Sequence, residues 1–242
     1  MAKIEIIAEI GINHSGDLDK AHYMIEESKR VGVDTVKFQM VNPDLVYKQD
    51  DPLYKIFKDV EFSFGDWLSL KRHVEKLGLN FLCTPGEKES ADKLKSIGTK
   101  RFKVASDSAT DVEFVNYLMS LGRPVLVSMG HVDFRAVRDL LDKYDNEPET
   151  VFYCISKYPP ETKDVDFNIL NRLQEKITIG TNLGYSDHFP FIESSLIAVS
   201  RGATVIEKHV KCFDTDIDAP CSISFSEFEK MVKSIRVMET LL

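Results

Sequence analysis

The sequence has 242 residues, which is enough for one large domain that buries a full hydrophobic core. Hydrophobic residues make up 43% of it and charged residues 29%, which excludes a disordered, collagen-like or coiled-coil chain. The formal net charge of −8 argues against a nucleic-acid-binding protein, although it permits a local basic pocket for a small anion.

Short runs rich in β-branched residues recur eight times along the chain, and each is followed by apolar residues at helical spacing. Helix ends are marked as well, since Ser224 and Glu227 match a capping box and glycines lie where several helices should stop. The predicted strands span 4–10, 33–39, 79–84, 101–105, 124–128, 151–155, 177–181 and 204–208.

Strict alternation of strand and helix implies parallel strands joined by right-handed crossovers. Eight such units predict an α/β fold, a (β/α)8 TIM barrel formed as a single domain over residues 1–242, with an open doubly wound sheet as the alternative. The longest connection, 40–64, follows the second strand and contains a predicted short helix near 54–58. Such a loop is either a binding element or a surface insertion.

The cysteines and the N-terminus bear on the cellular compartment. Cys83, Cys154, Cys212 and Cys221 form no C-x-x-C pair, which favours a reducing, cytoplasmic location over a disulfide framework. The first ten residues lack the apolar core of a signal peptide. No apolar stretch approaches the roughly 18–20 residues that a membrane span needs, so we expect no membrane association.

Each predicted strand has a polar or ionisable side chain near its C-terminal end, where the active site of a parallel barrel lies. A charge inside an apolar strand is costly unless it is paired or faces a ligand, so we interpret these residues as one site. In chain order they are Glu9 with Asn13 and His14, Lys37 with Gln39, Thr84, Lys103 with Ser106, Ser128 followed by His131, Ser156 with Tyr158, Ser186 with His188, and Glu207 with His209.

Two kinds of chemistry are represented in this set. Lys37 and Lys103, together with nearby hydroxyl groups, favour the binding of a phosphate or a phosphate-plus-carboxylate anion. His188 and His209 end adjacent strands and could bind one divalent metal ion, with an acidic side chain such as Asp218 nearby. Hydrogen-bonded structural histidines are the alternative. The sequence contains no nucleotide-binding loop and no nucleophilic hydrolase motif.

Eight sequence blocks, in the right order, resemble the sialic acid synthase family, which includes the N-acetylneuraminate, legionaminate and pseudaminate synthases. The blocks are AEIGINHSGD at 8–17, VKFQ at 36–39, CTP at 83–85, FKVAS at 102–106, SMG at 128–130, YP at 158–159, GYSDH at 184–188 and IEKH at 206–209. The resemblance covers nearly the whole chain, and its first block and last two blocks are together the most specific.

The resemblance implies an enzyme that condenses phosphoenolpyruvate with an open-chain N-acyl amino sugar, such as N-acetylmannosamine, to give a nonulosonic acid and phosphate. It also implies a homodimer and a divalent metal cofactor, Mn²⁺ in the first place and Mg²⁺ or Co²⁺ as alternatives. By residue, Glu9, Tyr158 and Asp218 match catalytic or sugar-side positions; Lys37, Gln39, Thr84, Lys103, Ser106, Ser128, Ser156 and Ser186 match phosphoenolpyruvate-binding positions; His188 and His209 match metal ligands.

Among the departures of the chain from the family pattern, two bear on the recognition of the sugar. Family members carry an acidic residue at the position of Ser108, so Asp107 would have to replace it from a shifted position. They also continue into a small antifreeze-like C-terminal domain, which we do not expect in residues 1–242. A barrel lyase or isomerase acting on a phosphorylated or acidic sugar, and a non-catalytic barrel, are the alternative interpretations.

Overall fold

Eight parallel strands close into a barrel in the computed structural model, which describes residues 3–242. Strand β1 pairs with both β2 and β8, and this closure excludes the open sheet. The prediction of a (β/α)8 TIM barrel is therefore confirmed. The strands are β1 (Glu5–Gly11), β2 (Thr35–Met40), β3 (Asn80–Pro85), β4 (Phe102–Val104), β5 (Val125–Ser128), β6 (Thr150–Cys154), β7 (Asn182–Asp187) and β8 (Val205–Lys211). A short ninth strand, β9 (Ile223–Ser224), pairs in parallel with the end of β8.

Helices follow the strands and surround the barrel. They are α1 (Leu18–Val31), α2 (Pro43–Val46), α3 (Pro52–Asp59), α4 (Phe64–Lys76), α5 (Lys88–Ser96), α6 (Val112–Ser120), α7 (Val137–Leu141), α8 (Asn168–Gln174), α9 (Glu193–Ser200) and α10 (Phe225–Leu241). The predicted capping box is present at α10, where Ser224 accepts from the backbone N–H of Glu227. Gly32 ends α1 with φ +88°, a left-handed conformation that favours glycine. No helix within residues 3–242 is long and apolar enough to span a bilayer.

The seventh strand lies after the predicted segment, so the prediction of a strand at 177–181 is wrong. That segment is the turn after α8: the N–H of Ile177 donates to the carbonyl of Leu173, and the Ile179 side chain is fully exposed. The strand is instead Asn182–Asp187, which carries only one aliphatic residue, Leu183. The sequence pattern favoured 177–181 because that segment contains two isoleucines, whereas β7 itself is rich in polar and small residues.

The barrel interior is layered, and the layering positions the site. Glu5, Arg101 and Glu149 form an ion-pair network at the N-terminal end of the barrel. Above it lies an apolar plug, the buried cluster of Ile7, Leu82, Leu126, Phe152 and Val205. Each such side chain contributes roughly 1.5–3 kcal/mol through burial. Because successive side chains alternate in direction along a strand, the next inward residues are the polar ones near the C-terminal strand ends.

Candidate active site

A cavity of about 370 Å³ lies at the C-terminal end of the barrel, and each of the eight barrel strands supplies at least one predicted site residue, from the strand itself or from the loop that follows it. Strands β5 and β6 contribute Ser128 and the loop residue Tyr158. Of the residues matched through the resemblance, the cavity is lined by Glu9, Lys37, Gln39, Thr84, Lys103, Ser106, Ser128, Tyr158, Ser186, His188, His209 and Asp218, and the predicted strand-end residues His131 and Glu207 line it too. Ser156 does not line it but lies behind Ser106, with 2.7 Å between their hydroxyl oxygens.

Alternating charges link the two lysines at the floor of the cavity. Lys37 Nζ lies 2.9 Å from Glu9 Oε1 and 3.6 Å from Glu207 Oε2. Lys103 Nζ lies 3.4 Å from Glu207 Oε1 and donates a hydrogen bond to Ser128 at 2.7 Å. All four charged side chains are buried. Their mutual attraction offsets part of the cost of removing four charges from water.

Glu207 occupies the centre of this network, although the site residues taken from the resemblance did not include it. It follows Val205 of the apolar plug by two positions, so it points into the barrel as Val205 does. Burial raises the pKa of Glu207, but Lys103 and then Lys37 outweigh burial and lower this pKa to about 2. The carboxylate is therefore ionised at neutral pH. The IEKH block was the available signal, because it contains this glutamate two residues before His209.

The two lysines respond differently to the same surroundings. Burial lowers the pKa of Lys37, but Glu207 and Glu9 more than compensate and raise it above its usual value. For Lys103, burial outweighs Glu207, and its pKa is lowered. Lys37 is thus the lysine that holds its proton more tightly. The protonated form of Lys103 would be stabilised more by a bound anion. An anion held between them would find both cations within one small volume.

Hydroxyl groups surround the lysines and already form hydrogen bonds with the charged network. Ser186 donates to Glu207 Oε1 at 2.8 Å, and Lys37 Nζ lies 3.4 Å from Thr84 Oγ1. Ser106 is buried and lies 3.3 Å from a ring nitrogen of His131. Hydroxyl groups can donate as well as accept, so these side chains can turn toward the oxygens of an anion.

The carboxylate of Glu9 is only half satisfied. Its Oε1 accepts a hydrogen bond from Gln39 Nε2 at 2.9 Å and contacts Lys37, whereas its buried Oε2 has no hydrogen-bond partner. A buried acceptor without a partner is costly and is commonly satisfied by water or a ligand. Glu9 therefore lines the cavity and keeps one carboxylate oxygen without a hydrogen-bond partner.

Histidines form the opposite flank of the cavity. The ring centroids of His188 and His209 are 5.4 Å apart, and the ring of Tyr158 lies 4.2 Å from that of His188. His188 Nδ1 lies 2.7 Å from the carbonyl oxygen of Ile155, which makes Nδ1 the donor and leaves the lone pair on Nε2. Burial, reinforced by His209, lowers the pKa of His188 to about 3. A neutral imidazole with its second nitrogen fixed by a carbonyl is the form that binds metal ions.

Asp218 completes this flank. Its Oδ2 lies 3.4 Å from Nδ1 of His209, a buried nitrogen without a well-aligned hydrogen bond. Burial alone lowers the pKa of His209, but Cys221 and Asp218 raise it well above its usual value. Asn13 holds the Asp218 loop, because its Oδ1 accepts from the Asp218 N–H at 2.6 Å and its Nδ2 donates to the carbonyl of Val210. Asn13 is thus a positioning residue rather than a ligand-contacting one.

The donor set fits an open metal site rather than a closed one. Within residues 3–242, no group of three or more histidine, cysteine or acidic side chains is arranged to enclose a metal ion. His188 and His209 nevertheless supply two buried imidazoles, each with one nitrogen that lacks a strong partner: Nε2 of His188, which lies 3.4 Å from the Ser186 hydroxyl, and Nδ1 of His209. Two nitrogen ligands plus oxygens from water or substrate would complete the coordination shell of a divalent ion.

The long connection 40–64 contributes to the mouth of the cavity, which favours a binding element over a surface insertion. Helix α3 contains the predicted short helix and places Leu53, Ile56 and Phe57 along the cavity wall. On the opposite side, Asp107 also lines the cavity, and Ser108 donates a hydrogen bond to its carboxylate at 3.0 Å. Ser108 itself is not among the lining residues.

The barrel is similar in sequence and structure to known proteins. The model of the NeuB family matches residues 24–242. The chain is 33% identical to the N,N'-diacetyllegionaminic acid synthase of Legionella pneumophila, over 98% of this chain and 72% of that protein. It is 32% identical to the uncharacterized protein MJ1065 of Methanocaldococcus jannaschii, over 98% and 71% of the two chains. The solved N-acetylneuraminic acid synthetase of Leptospira borgpetersenii superposes with a TM-score of 0.93 at 29% identity, over 99% of this chain and 85% of that one.

Proposed function

The chain belongs to the NeuB family, and on that premise we propose that it condenses phosphoenolpyruvate with an open-chain N-acyl amino sugar. The products would be a nonulosonic acid, that is, a sialic-acid-like 2-keto sugar acid, and inorganic phosphate. One observation carries the proposal: the lysine pair Lys37 and Lys103 and the histidine pair His188 and His209 line the same cavity of about 370 Å³. Relatives named as synthases of legionaminic, pseudaminic and sialic acids support it.

The lysine flank suits the donor substrate. Phosphoenolpyruvate carries a phosphate and a carboxylate close together, and both require cations and hydrogen-bond donors. Lys37 and Lys103 supply the charge, and the hydroxyls of Thr84, Ser106, Ser128 and Ser186 and the amide of Gln39 supply further hydrogen bonds. Ser156 would act through Ser106, because it lies behind that hydroxyl and not in the cavity.

The histidine flank suits the sugar aldehyde. We assign His188 and His209 as ligands of a divalent ion, Mn²⁺ in the first place, on the strength of their buried imidazole nitrogens. A divalent ion bound there would act as a Lewis acid toward a carbonyl oxygen. Tyr158 lies against His188, and Asp218 lies beside His209, so both can orient the sugar hydroxyls next to the aldehyde.

The reaction forms one carbon–carbon bond, consumes one water molecule and breaks the carbon–oxygen bond between C2 and the phosphate ester oxygen. The C2–C3 double bond of phosphoenolpyruvate attacks the aldehyde carbon through C3, and the aldehyde oxygen takes up a proton. Water then adds to the electron-deficient C2, and departure of phosphate with its ester oxygen leaves the 2-keto acid. Glu9 lines the cavity and has one carboxylate oxygen without a hydrogen-bond partner, so it can accept a proton from this water or steer it.

The test is release of inorganic phosphate, followed with Mn²⁺, phosphoenolpyruvate and a panel of sugars. The panel contains N-acetylmannosamine, diacetamido-trideoxyhexoses and simple aldoses, and the expected result is release only with an N-acyl amino sugar. Turnover of a single sugar phosphate without phosphoenolpyruvate would instead favour a lyase or isomerase. Phosphate release that is equal with and without sugar would contradict the proposal.

A further inference from the structure

A second cavity, of about 360 Å³, lies beside the candidate active site, between the ends of β5 and β6 and the helices α7 and α8. We call it the β5–β6 cavity. Its volume falls within the range of roughly 300–1,000 Å³ that is typical of small-molecule sites. Most of its wall is apolar, and the side chains used below are Met129, Val132, Phe134, Ile155, Ile169 and Leu173.

The cavity exists because the helix that should cover this part of the barrel is short. A turn of 3-10 helix, Phe134–Ala136, precedes α7, and α7 itself has only five residues. Apolar residues continue at helical spacing from Phe134 to Tyr144, but the helix covers only part of this segment, and Ile169 and Val132 remain only partly buried. Apolar side chains that face an unfilled space lose contacts that a ligand can restore.

Two positive charges lie next to the cavity, against the ring of its lining residue Phe134. Arg172 lies over the ring of Phe134 at 4.3 Å from its centroid, and Lys176 lies at 5.1 Å. Neither cation forms an ion pair with any acidic side chain of residues 3–242. At the polar edge, Lys157 is paired with Asp164 at 2.7 Å. Two cations without an ion-pair partner among the described residues therefore lie beside the cavity at Phe134, and they favour an anionic group in the ligand.

A chain of side chains joins this cavity to the candidate active site. Ser156 lines the β5–β6 cavity, and its hydroxyl lies 2.7 Å from that of Ser106, which lines the active-site cavity. Ser106 in turn lies 3.3 Å from Nδ1 of His131, a residue that lines both cavities. A ligand that moves Ser156 or His131 therefore changes the hydrogen bonds available to Ser106.

We propose that the β5–β6 cavity binds a small amphipathic anion, with one or two rings and a single acidic group, and that its occupancy changes the affinity of the lysine flank for phosphoenolpyruvate. The second half of this proposal rests on the proposed function, whereas the binding site itself does not. Because binding free energies are reciprocal, phosphoenolpyruvate must change the affinity for the anion by the same factor.

The experiment uses 8-anilinonaphthalene-1-sulfonate, a fluorescent two-ring anion, titrated against the full chain. We expect one saturable site, and we expect N-phenyl-1-naphthylamine, which has the same rings without the sulfonate, to bind about tenfold more weakly. Arg172→Gln should reduce that difference, and Arg172→Gln combined with Lys176→Gln should remove it. Ile169→Trp should abolish dye binding by filling the cavity, whereas Ile197→Trp, which adds the same side chain at an exposed position of α9, should leave it unchanged.

Val132→Trp is a second filling variant in case Ile169→Trp does not fold, as judged by its circular dichroism spectrum and melting temperature. Unchanged dye binding in the folded filling variants would overturn the site. Equal affinities for the two dyes would overturn the anionic ligand class. These results do not depend on turnover, so they are separable from a failure of the proposed function.

The link between the cavities is tested by repeating the titration at saturating phosphoenolpyruvate, whose own binding is measured by calorimetry. We expect dye affinity to change to a limiting value, with phosphoenolpyruvate affinity changing by the same factor when dye is saturating. Dye affinity that falls without limit as phosphoenolpyruvate rises would place the dye in the active-site cavity and overturn the proposal. No change in affinity, when both ligands bind, would overturn the link.

Discussion

Glu207 Oε1 lies 3.4 Å from Lys103 Nζ at the centre of the barrel, and each side chain is only 3% exposed. The same carboxylate contacts Lys37 through its other oxygen. We predict that Glu207→Gln leaves two buried cations without their shared counter-charge and lowers the free energy of unfolding by about 3 kcal/mol. For a chain of this length, that corresponds to a melting temperature lower by about 6–12 °C.

An anion bound between the lysines should restore part of this loss. Phosphoenolpyruvate is therefore expected to raise the melting temperature of Glu207→Gln more than that of the unmodified protein. Glu89→Gln is the matched control, because Glu89 pairs with Lys93 at the surface and contributes little. Equal melting temperatures for Glu207→Gln and Glu89→Gln would show that Glu207 does not hold the lysines.

Asp107, rather than Ser108, is the acidic residue at the mouth of the cavity. We predict that Asp107→Asn raises the KM for the sugar by about tenfold, the effect of losing one charge-assisted hydrogen bond, and leaves the KM for phosphoenolpyruvate nearly unchanged. Glu113→Gln, an exposed acidic position nearby, is the control. The measurement is steady-state phosphate release with each substrate varied in turn. A KM change confined to phosphoenolpyruvate would assign Asp107 to the donor side instead.

The fold could be predicted because each strand–helix unit repeats the same pattern, and only β7 was misplaced. Its residues Gly184 and Ser186 are small or polar because they face the barrel interior, so they carry little strand signal. The apolar Ile177 and Ile179 before them produced a stronger local pattern, although Ile179 is fully exposed. Hydrophobic periodicity identifies a strand by the spacing of its apolar residues, so it misses a strand whose inward side chains line a polar cavity.

The site was predictable as a set of strand ends but not in its connections. Lys103 could be placed at the end of β4 from the sequence, but its contact with Glu207, 104 residues later, depends on the barrel closing. Ser156 contacts the hydroxyl of Ser106 and does not line the active-site cavity. The alternation of side chains along a strand could not show this, because Ser156 lies in the loop after β6. The free oxygen of Glu9 is likewise a property of packing, since it depends on which oxygen Gln39 and Lys37 reach.

Gly184 lies where β7 faces the apolar plug, and a Cβ there would be 2.4 Å from the ring of Phe152. We predict that Gly184→Ala destabilises the barrel by about 1–3 kcal/mol, because Phe152 is fully buried and cannot move aside freely. Gly65→Ala is the control: it lies in the first turn of α4, with its nearest neighbour 3.7 Å from the added methyl group. That change should be neutral or stabilising by up to about 1 kcal/mol. Chemical denaturation of both variants decides the matter, and equal midpoints would contradict the prediction.

Asp34 ties the start of the barrel to the last helix, and this makes its contribution pH-dependent. Its carboxylate accepts from the N–H of Ile6 at 2.9 Å and pairs with Arg236 of α10 at 2.6 Å and with Lys3. Burial raises the pKa of Asp34, but the hydrogen bonds from Lys3, Ile6 and Arg236 outweigh burial and lower it. A depressed pKa in the folded state stabilises the protein above the unfolded pKa, and that contribution disappears as pH falls through the folded value.

We therefore predict that Asp34→Asn costs about 1 kcal/mol at pH 7, and that the cost shrinks as the pH falls below about 4. The measurement is urea denaturation of both proteins at a series of pH values. Asp214→Asn is the control, because Asp214 is an exposed partner of Lys211 and should show little effect at any pH. A cost for Asp34→Asn that does not vary with pH would show that its charge is unimportant.

Metal binding can be separated from turnover through His188, whose Nδ1 is committed to the carbonyl of Ile155. We predict that Mn²⁺ raises the melting temperature of the protein and that ethylenediaminetetraacetate reverses this, since an ion that binds only the folded state stabilises it. His188→Gln should lose the Mn²⁺ response, while His22→Gln, on α1 and outside the cavity, should keep it. Because His188 is buried and neutral, its replacement by a neutral side chain should cost less stability without metal than the metal response it removes. A full Mn²⁺ response in His188→Gln would mean that the ion binds elsewhere, and the two-histidine assignment would be wrong.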